Sequence, residues 1–482
     1  MSDRSRPTRA PISSRESNGV GLPDNRLTML DHAFYTGRRT TGHAQVIQVV
    51  WVYEHPIDLD GLKRFHHNLG NGLLARRIER SSIPFARHRW VSDEVSSDID
   101  FAEYTRPRGE VGDWADERSQ MPIDPEWGPA WHLGVLPVTD GSTAVSLVVS
   151  HYLIDGFGLA VAVADALLGN TRDLRLPPPR SRTRLRAAAQ DARQAVQDIP
   201  TAARALIELA KLTRGHRHDL IAAAKTARSH RREIAHSPAP RPVALAKTAC
   251  VDTVMVPGIT IHVDLDEWSA RAEASGGTSN TLVAGLAAKF GEHIGRRRPR
   301  DGAVTLQLPI SDRVEGDTRA NAMSFARVSV DPTRVTSDLH DIRASIKDAL
   351  DTVHSTPDAS SHLLWLTQFA PKRALKRLSD VMVVGDLDLP VFCSNLGDLG
   401  SMLSHLDGTK AEYGWARAVG QHVSRQWLEQ TRGLMRLQCW RINGKVGITV
   451  VAYRPGAENT KAALRELAAR TLADFELRGE ID

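Results

Sequence analysis

The stretch SLVVSHYLIDGFGLAV, Ser146–Val161, places one histidine between a run of valines and a glycine-containing turn. From Thr143 onward residues of alternate parity are apolar, which predicts a strand with one buried face formed by Val145, Leu147, Val149 and His151. After the turn, apolar residues recur at helical spacing, at Leu159, Ala160, Val163, Ala164 and Leu167. We therefore predict a strand that ends at His151 and a helix that follows it, with Gly156 and Gly158 permitting a sharp turn between them.

A histidine at the exit of a buried strand is expected in a cleft or tunnel. Desolvation there disfavours the charged imidazolium, and a neutral imidazole is a competent general base. Asp155, four residues after His151, is predicted either to orient the histidine or to hold the turn through a buried ion pair. By itself the HxxxDG pattern is found with structural as well as with catalytic histidines. Further motifs in the chain are therefore needed to predict the role of His151.

Outward from this motif, strand and helix patterns alternate in two parts of the chain. In the first part AQVIQVVWVY, Ala44–Tyr53, is rich in β-branched residues, and a helical pattern follows it. In the second part TIHVD and AVTLQLPI are predicted strands, SNTLVAGLAAKFGEHI is a predicted helix, and Asn443-Gly444 between two alternating runs predicts a hairpin. The predicted fold class is α/β, with an α/β sandwich in each of two lobes.

A length of 482 residues suggests two or three domains. We predict a disordered arm over residues 1–24, an N-terminal lobe over 25–175, a basic helical bridge over 176–242 and a C-terminal lobe over 243–482. From Arg180 to Arg232 there are 13 Lys and Arg against 4 Asp and Glu. The bridge is either a solvated helix pair or a patch for phosphate-bearing ligands or an anionic membrane surface. It has no aromatic residue to stack on a base, which argues against nucleic acid.

The composition, 41% hydrophobic and 25% charged residues without a long apolar run, indicates a globular protein without a membrane span. Cys250, Cys393 and Cys439 are far apart, so neither a disulfide framework nor a thiolate zinc site is predicted, and we expect no metal. The N-terminal residues lack the apolar segment of a secretory signal. We expect a reducing, cytoplasmic location, with peripheral membrane contact through the basic bridge as a further candidate.

Several stretches, in order, resemble motifs of the chloramphenicol acetyltransferase-like superfamily. Besides HYLIDG, they are MPIDPEWGPAWHLGVLPV with its Gly128-Pro129 pair, GGTSNTLVAGLAAKFGEHI, LPISDRVEGDTRANAMSF and FCSNLGDLG. The superfamily includes nonribosomal peptide condensation domains, polyketide-associated acyltransferases and wax ester synthase/diacylglycerol acyltransferases. The opening RLTMLDHAFY, Arg26–Tyr35, and the basic insert are most similar to the latter two groups. The resemblance extends from Leu27 to the C-terminus.

This resemblance implies two chloramphenicol acetyltransferase-like lobes with an active-site tunnel at their interface. The implied activity moves an acyl group from a thioester, on coenzyme A or a carrier-protein phosphopantetheine, to a hydroxyl or amine in lipid or natural product biosynthesis. His151 would be the general base, with Asp155 and Gly156 in the same motif and no permanently bound cofactor. Arg313 would pair with Asp155. Support is expected from Ser394, Asn395 and Gly397 in a crossover loop, and candidates to line the tunnel are Ser150, Asn321 and Ser324.

The sequence departs from the family pattern at Ser150, where the family usually has a first histidine. By strand parity Ser150 is expected to point outward, away from His151, with room for a larger side chain. The oxyanion is expected to be stabilised either by a backbone N–H near Gly156 or by a polar side chain of the second lobe. Two alternatives to an acyltransferase stay open: a freestanding condensation enzyme that joins carrier-bound units, and an inactive relative that binds an acidic carrier protein.

Overall fold

The computed structural model describes residues 24–93, 97–215, 252–355, 364–365, 368–369 and 388–482. It contains a five-stranded sheet, a seven-stranded sheet and a two-stranded sheet, with helices packed on them. The predicted α/β class with two lobes is therefore confirmed. Nearly all of the predicted N-terminal arm, and residues 216–242 of the predicted bridge, lie outside the described residues.

The first part of the chain forms β1 to β6 and α1 to α5. The helices are α1 (Met29–Thr41), α2 (Leu59–Gly70), α3 (Val111–Ser119), α4 (Gly156–Leu168) and α5 (Arg184–Gly215). The strands are β1 (Ala44–Tyr53), β2 (Arg76–Glu79), β3 (Arg89–Ser92), β4 (Asp100–Phe101), β5 (Trp131–Pro137) and β6 (Thr143–Ser150). The strands predicted over Ala44–Tyr53 and from Thr143 are confirmed, as is the helix after the motif turn.

The second part forms β7 to β14 and α6 to α10. Its strands are β7 (Gly258–Asp264), β8 (Val304–Ser311), β9 (Met323–Val330), β10 (Val391–Asp398), β11 (Tyr413–Gln421), β12 (Leu434–Ile442), β13 (Lys445–Tyr453) and β14 (Glu480–Ile481). Its helices are α6 (Leu265–Ala274), α7 (Ser279–His293), α8 (His340–Ser355), α9 (Arg425–Gln430) and α10 (Lys461–Asp474). Between β12 and β13, Asn443 and Gly444 both have positive φ, 51° and 75°, as the predicted two-residue hairpin requires.

The five-stranded sheet has the order β11-β1-β6-β5-β4 and the seven-stranded sheet has the order β14-β7-β13-β12-β10-β8-β9. Strand β1 is central in the first sheet, antiparallel to β6 on one side and to β11 on the other. Its last eight residues are all buried, which explains why its sequence is almost continuously apolar instead of alternating. Strand β11 comes from the second part of the chain, so that part completes the first sheet.

Each sheet has its own hydrophobic core. The core of the first lobe contains Trp51, Leu147 and Leu159, and it also includes Leu403 and Trp440 from the second part of the chain. The indole N–H of Trp51 donates to the Leu403 carbonyl at 2.8 Å. The segment around β11 thus ties the two lobes together by packing as well as by strand pairing.

Helix α5, the described part of the basic bridge, is fixed to the first lobe through its acidic residues. The fully buried side chain of Asp191 pairs with Arg89 at 3.2 Å and with Arg182 at 2.9 Å, and Asp198 pairs with Arg87 at 3.0 Å. Four arginines in the first part of α5 are exposed; they are Arg184, Arg186, Arg193 and Arg204. Within the described ranges, no helix combines the length and apolar character needed to span a membrane.

Candidate active site

His151 lies where β6 ends and the turn into α4 begins. Its backbone N–H donates to the Gln45 carbonyl at 3.0 Å, so the residue is held by β1 directly after the last strand pair, Val46 with Ser150. The predicted apolar face of β6 is part of the first-lobe core. His151 is therefore held rigidly at the edge of that core.

A cavity of about 410 Å³ opens beside His151, between the two sheets. The first lobe contributes β1 and the start of α4, and the second lobe contributes strands β8 to β12. Its apolar lining includes Ile47, Phe157, Phe325, Phe392, Leu396 and Trp440, and its neutral polar lining includes Gln45, Gln307, Ser394, Asn395 and Gln438. Such a mainly apolar cavity with a few converging polar groups is typical of a small-molecule site.

Burial keeps the His151 ring neutral near pH 7. Desolvation lowers the pKa of His151 below its usual 6.5, and the positive charge of Arg436 acts in the same direction. The His151 backbone, Asp155 and the side chain of Asn321 act in the opposite direction, each more weakly than desolvation. The ring is thus available to accept a proton.

A buried polar chain supports the histidine from the side away from the cavity. Asn321 donates from its backbone N–H and its Nδ2 to Asp31 Oδ1, at 3.0 and 2.9 Å, and its Nδ2 also lies 3.5 Å from the His151 carbonyl oxygen. His151 Nδ1 and Asn321 Oδ1 are both buried without a hydrogen-bond partner among the described residues. Burial raises the pKa of Asp31, which is 1% exposed. Asn321 and Asp31 therefore lie behind His151, and the sequence patterns gave no sign of this contact.

Asp155 and Arg313 form the predicted ion pair. Arg313 Nη2 lies 2.8 Å from Asp155 Oδ2, and each side chain is 4% exposed. The same carboxylate accepts from the backbone N–H of Gly158, the N-cap contact of α4, at 2.6 Å, and from that of Ala322 at 2.8 Å. Because Arg313 and Ala322 belong to the loop between β8 and β9, the pair ties the second lobe to the start of α4.

The glycines of the motif were predicted to permit a sharp turn, and the structure shows that they also allow close packing against the turn. Neither Gly156 nor Gly158 has positive φ. A Cβ on Gly158 would lie 2.8 Å from both Arg313 Nη2 and Ile154 Cγ1, and one on Gly156 would lie 3.3 Å from a methyl carbon of Leu396. The turn therefore needs glycine at 158 because the ion pair lies directly against the backbone.

The stretch predicted as a crossover loop is instead mostly strand β10, parallel to β8 and β12. The pairing with β12 is irregular between Asn395 and Asp398, where Gly397 has φ of 70°. Asn395 Oδ1 accepts from the Gly397 N–H at 2.9 Å, and its Nδ2 donates to Asn280 at 2.7 Å. Ser394 and Asn395 line the cavity, so this part of the strand contributes to the site as well as to the fold.

The three candidate tunnel residues lie outside the cavity lining. Asn321 lies behind His151, and Ser324 Oγ donates to Asp312 at 3.2 Å. Ser150 is 2% exposed, so the expected outward position with room for a larger side chain is wrong. It shares a strand face with Val148, which packs in a second buried cluster with Val46, Ile123 and Val419. Both faces of β6 are covered, which strand parity alone does not reveal.

A second cavity, of about 500 Å³, lies nearby and includes Arg417, which lines both cavities. Several of its charges neutralise one another: Lys461 Nζ is 2.6 Å from both Asp113 and Asp116, and Arg417 Nη1 is 2.6 Å from Asp116. Because His151 opens into the smaller cavity, we place the candidate active site there.

Sequence reasoning missed the cavity residues of β11 and β12, among them Arg417, Arg436 and Gln438. In LMRLQCWRI the polar residues alternate with buried ones, a pattern that usually indicates a solvent-exposed face. The polar face of β12 lines a cavity because the first sheet lies across from it, and the sequence of β12 alone does not show this.

The fold is similar to that of solved condensation domains and acyltransferases. The first condensation domain of the calcium-dependent antibiotic synthetase matches with a TM-score of 0.52 at 13% identity, over 94% of this chain and 95% of that chain. The wax ester synthase/diacylglycerol acyltransferase from Marinobacter aquaeolei VT8 matches with a TM-score of 0.51 at 15% identity, over 94% and 98%. The epimerization domain from the third module of tyrocidine synthetase B matches with a TM-score of 0.50 at 14% identity, over 96% and 97%.

No family model and no curated protein matches the sequence. At these sequence identities the structural matches show the fold alone. The fold predicted from the motif resemblance is therefore confirmed.

Proposed function

We propose that this protein is an acyltransferase that moves an acyl group from a thioester to a hydroxyl or amine acceptor, with His151 as general base. The observation that carries the proposal is a half-buried histidine, kept neutral by desolvation, that opens into a cavity between the two lobes of this fold. A fold shared with a wax ester synthase/diacylglycerol acyltransferase and with condensation domains supports it.

In the proposed reaction His151 removes the proton from the acceptor as the acceptor oxygen or nitrogen attacks the thioester carbonyl carbon. The tetrahedral intermediate collapses, the carbon–sulfur bond breaks, and the imidazolium returns its proton to the departing thiolate. Each step balances with the chain's own groups and the two substrates. Asp155, engaged by Arg313 and two backbone N–H groups, keeps α4 in place and takes no part in the proton transfer.

We assign oxyanion stabilisation to the first turn of α4. Gly156 and Phe157 line the cavity at the N-terminus of this helix, where N–H groups have no partner within the helix and the helix dipole favours negative charge. Polar side chains of the second lobe, such as Ser394 and Gln438, are the alternative donors.

The donor we propose carries its acyl group on a phosphopantetheine thiol, either in coenzyme A or on a carrier protein. The exposed arginines of α5 give an acidic carrier protein a complementary surface next to the first lobe. The same arginines are also suited to an anionic membrane surface.

A freestanding condensation enzyme is the second candidate, because the condensation domain and the acyltransferase match this chain equally well. It differs in requiring both reacting groups on carriers. A non-catalytic carrier-binding protein would give no turnover with any donor and would still associate with an acidic carrier.

The proposal is tested by incubating the protein with a panel of acyl thioesters and acceptors and detecting free thiol and acyl product by mass spectrometry. The panel contains coenzyme A and carrier-protein thioesters of several chain lengths, with alcohol and amine acceptors. Product from free coenzyme A thioesters supports the acyltransferase. Product from carrier-bound pairs alone supports the condensation enzyme, and no product with any pair overturns both.

A further inference from the structure

Arg436 places a half-buried positive charge in the candidate active site. It lies on β12 of the second lobe and lines the same cavity as His151. Its one hydrogen bond among the described residues runs from Nη1 to the Ala418 carbonyl at 3.3 Å. Burial lowers the pKa of Arg436, and the same charge lowers the pKa of His151.

The other formal charges that line this cavity are compensated. Asp155 pairs with Arg313 at 2.8 Å, and Arg417 pairs with Asp116 at 2.6 Å. Within the described residues no carboxylate lies within ion-pair distance of Arg436. A cation without a partner in a mainly apolar cavity is only partly hydrated, and a ligand of opposite charge would stabilise it.

We propose that Arg436 binds a carboxylate of the substrate, so that the acyl chain or the acceptor carries a free carboxylate group. This inference rests on the proposed acyltransferase function and narrows its substrate class. The guanidinium fork matches a carboxylate through two parallel N–H donors, a geometry that a lysine would not reproduce. Gln438, two residues along the same strand face, also lines the cavity, which places an amide next to the carboxylate.

A carboxylate accounts for Arg436 better than the reaction's oxyanion does. The oxyanion exists only during the acyl transfer step, and it would leave the cation unpaired in the substrate complex. A substrate carboxylate would neutralise Arg436 throughout binding. It would also cancel the effect of Arg436 on His151, so binding would raise the pKa of His151 and make it a stronger base.

Calorimetric titration with monomethyl adipate and with its neutral counterpart, methyl adipamate, tests the inference without turnover. The wild-type protein should bind the carboxylate ligand at least tenfold more tightly than the amide. Arg436→Gln should abolish this preference, a loss of about 10- to 100-fold in carboxylate affinity. Arg441→Gln, the same change on the same strand but outside the cavity lining, should retain it.

Equal affinity of the wild-type protein for the two ligands would overturn the inference. Thermal unfolding shows whether the Arg436→Gln variant is folded. Because Arg436 is a half-buried cation without an ion-pair partner among the described residues, the variant should be at least as stable as the wild type. If Arg436→Gln is unfolded, Arg436→Lys provides the comparison. This variant keeps the positive charge but loses the paired N–H donors of the guanidinium group, so its preference for the carboxylate ligand over the amide should weaken.

Turnover assays then distinguish the two positions of the carboxylate. A preference for ω-carboxyacyl over acyl coenzyme A places it on the donor, and a preference for a hydroxy acid over the matching alcohol places it on the acceptor. An Arg436→Gln variant that slows all pairs equally would assign Arg436 to the oxyanion and overturn the inference. Absence of all turnover with carboxylate binding intact would contradict the proposed function and leave the carboxylate site standing.

Discussion

At the scale of single residues, the site depends on keeping one imidazole neutral inside the protein. Burial does this for His151, and Asn321 and Asp31 lie behind it in a layer that has no contact with the cavity. The proposed base and its support therefore come from three distant parts of the chain.

The pH dependence of kcat/KM should reflect the lowered pKa of His151. A general base must be unprotonated, so activity should be full above this pKa and should fall as the pH decreases through it, with the acid limb below pH 6.5. Because Arg436 lowers the same pKa, Arg436→Gln should move the limb to higher pH. A limb above pH 7 in the wild type would contradict a desolvated, neutral imidazole.

Loss of the Asn321 side chain should destabilise the protein. Asn321→Ala removes the Nδ2 donor from the buried Asp31 carboxylate, which should lower the free energy of unfolding by about 1–3 kcal/mol. Ser324→Ala, which loses one exposed hydrogen bond on the next strand, is the matched control and should change the stability much less. Denaturant unfolding followed by circular dichroism measures both, and equal stability of the two variants would contradict the buried contact.

The sequence predicted only part of the site. His151 and Asp155 follow from a short motif, because their spacing along the chain reflects a strand end and a local turn, whereas Arg313 follows only from the resemblance to the superfamily. The roles of Arg436, Asn321 and Asp31 do not follow from local patterns, since they depend on which segments meet across the lobe interface. The sequence pattern of a strand with alternating polar residues is the same whether those residues face water or a cavity.

At the scale of secondary-structure elements, the Asp155–Arg313 pair fastens the start of α4 to the loop after β8. Asp155→Ala and Arg313→Ala should each lower the free energy of unfolding by about 3–5 kcal/mol, because each leaves a buried charge unpaired. The double variant should lose less than the sum of the two. Denaturant unfolding of all four proteins gives the coupling energy, and additive losses would show that the two residues do not interact.

Close packing at the turn before α4 leads to a second prediction. Gly158→Ala should destabilise the protein by about 1–3 kcal/mol, because its Cβ would overlap Arg313 and Ile154. Gly37→Ala in α1, where nothing lies within 4 Å of the new Cβ, should be neutral or slightly stabilising. Thermal unfolding checks the pair, and a Gly158→Ala protein as stable as Gly37→Ala would contradict this packing.

Elements with local signals were predicted well, and elements defined by distant partners were not. Strand β1 and the Asn443-Gly444 hairpin follow from composition and turn chemistry. The stretch that forms β10 was predicted as a crossover loop because FCSNLGDLG resembles such a loop of the superfamily, although Ser, Asn and Gly are also residues that favour turns. Its parallel pairing with β8 and β12 overrides that preference.

At the scale of the whole molecule, the exchange of β11 into the first sheet creates the cavity. Ala416, Arg417 and Ala418 of β11 line it beside Arg436 and Gln438 of β12. Alternating patterns predicted two lobes, but no local pattern shows that a strand from residue 413 onward pairs with β1. The predicted domain boundaries stay a prediction.

The central claim is that His151 performs the proton transfer of acyl transfer in this cavity. Its most direct test is the rate of thiol release by His151→Ala, measured with a donor and acceptor pair that the wild-type protein uses, with Ser150→Ala as the control on the neighbouring residue. We predict that His151→Ala stays folded and loses a factor of about 10²–10⁴ in rate, while Ser150→Ala retains most of it. A folded His151→Ala protein with wild-type rate would contradict the account.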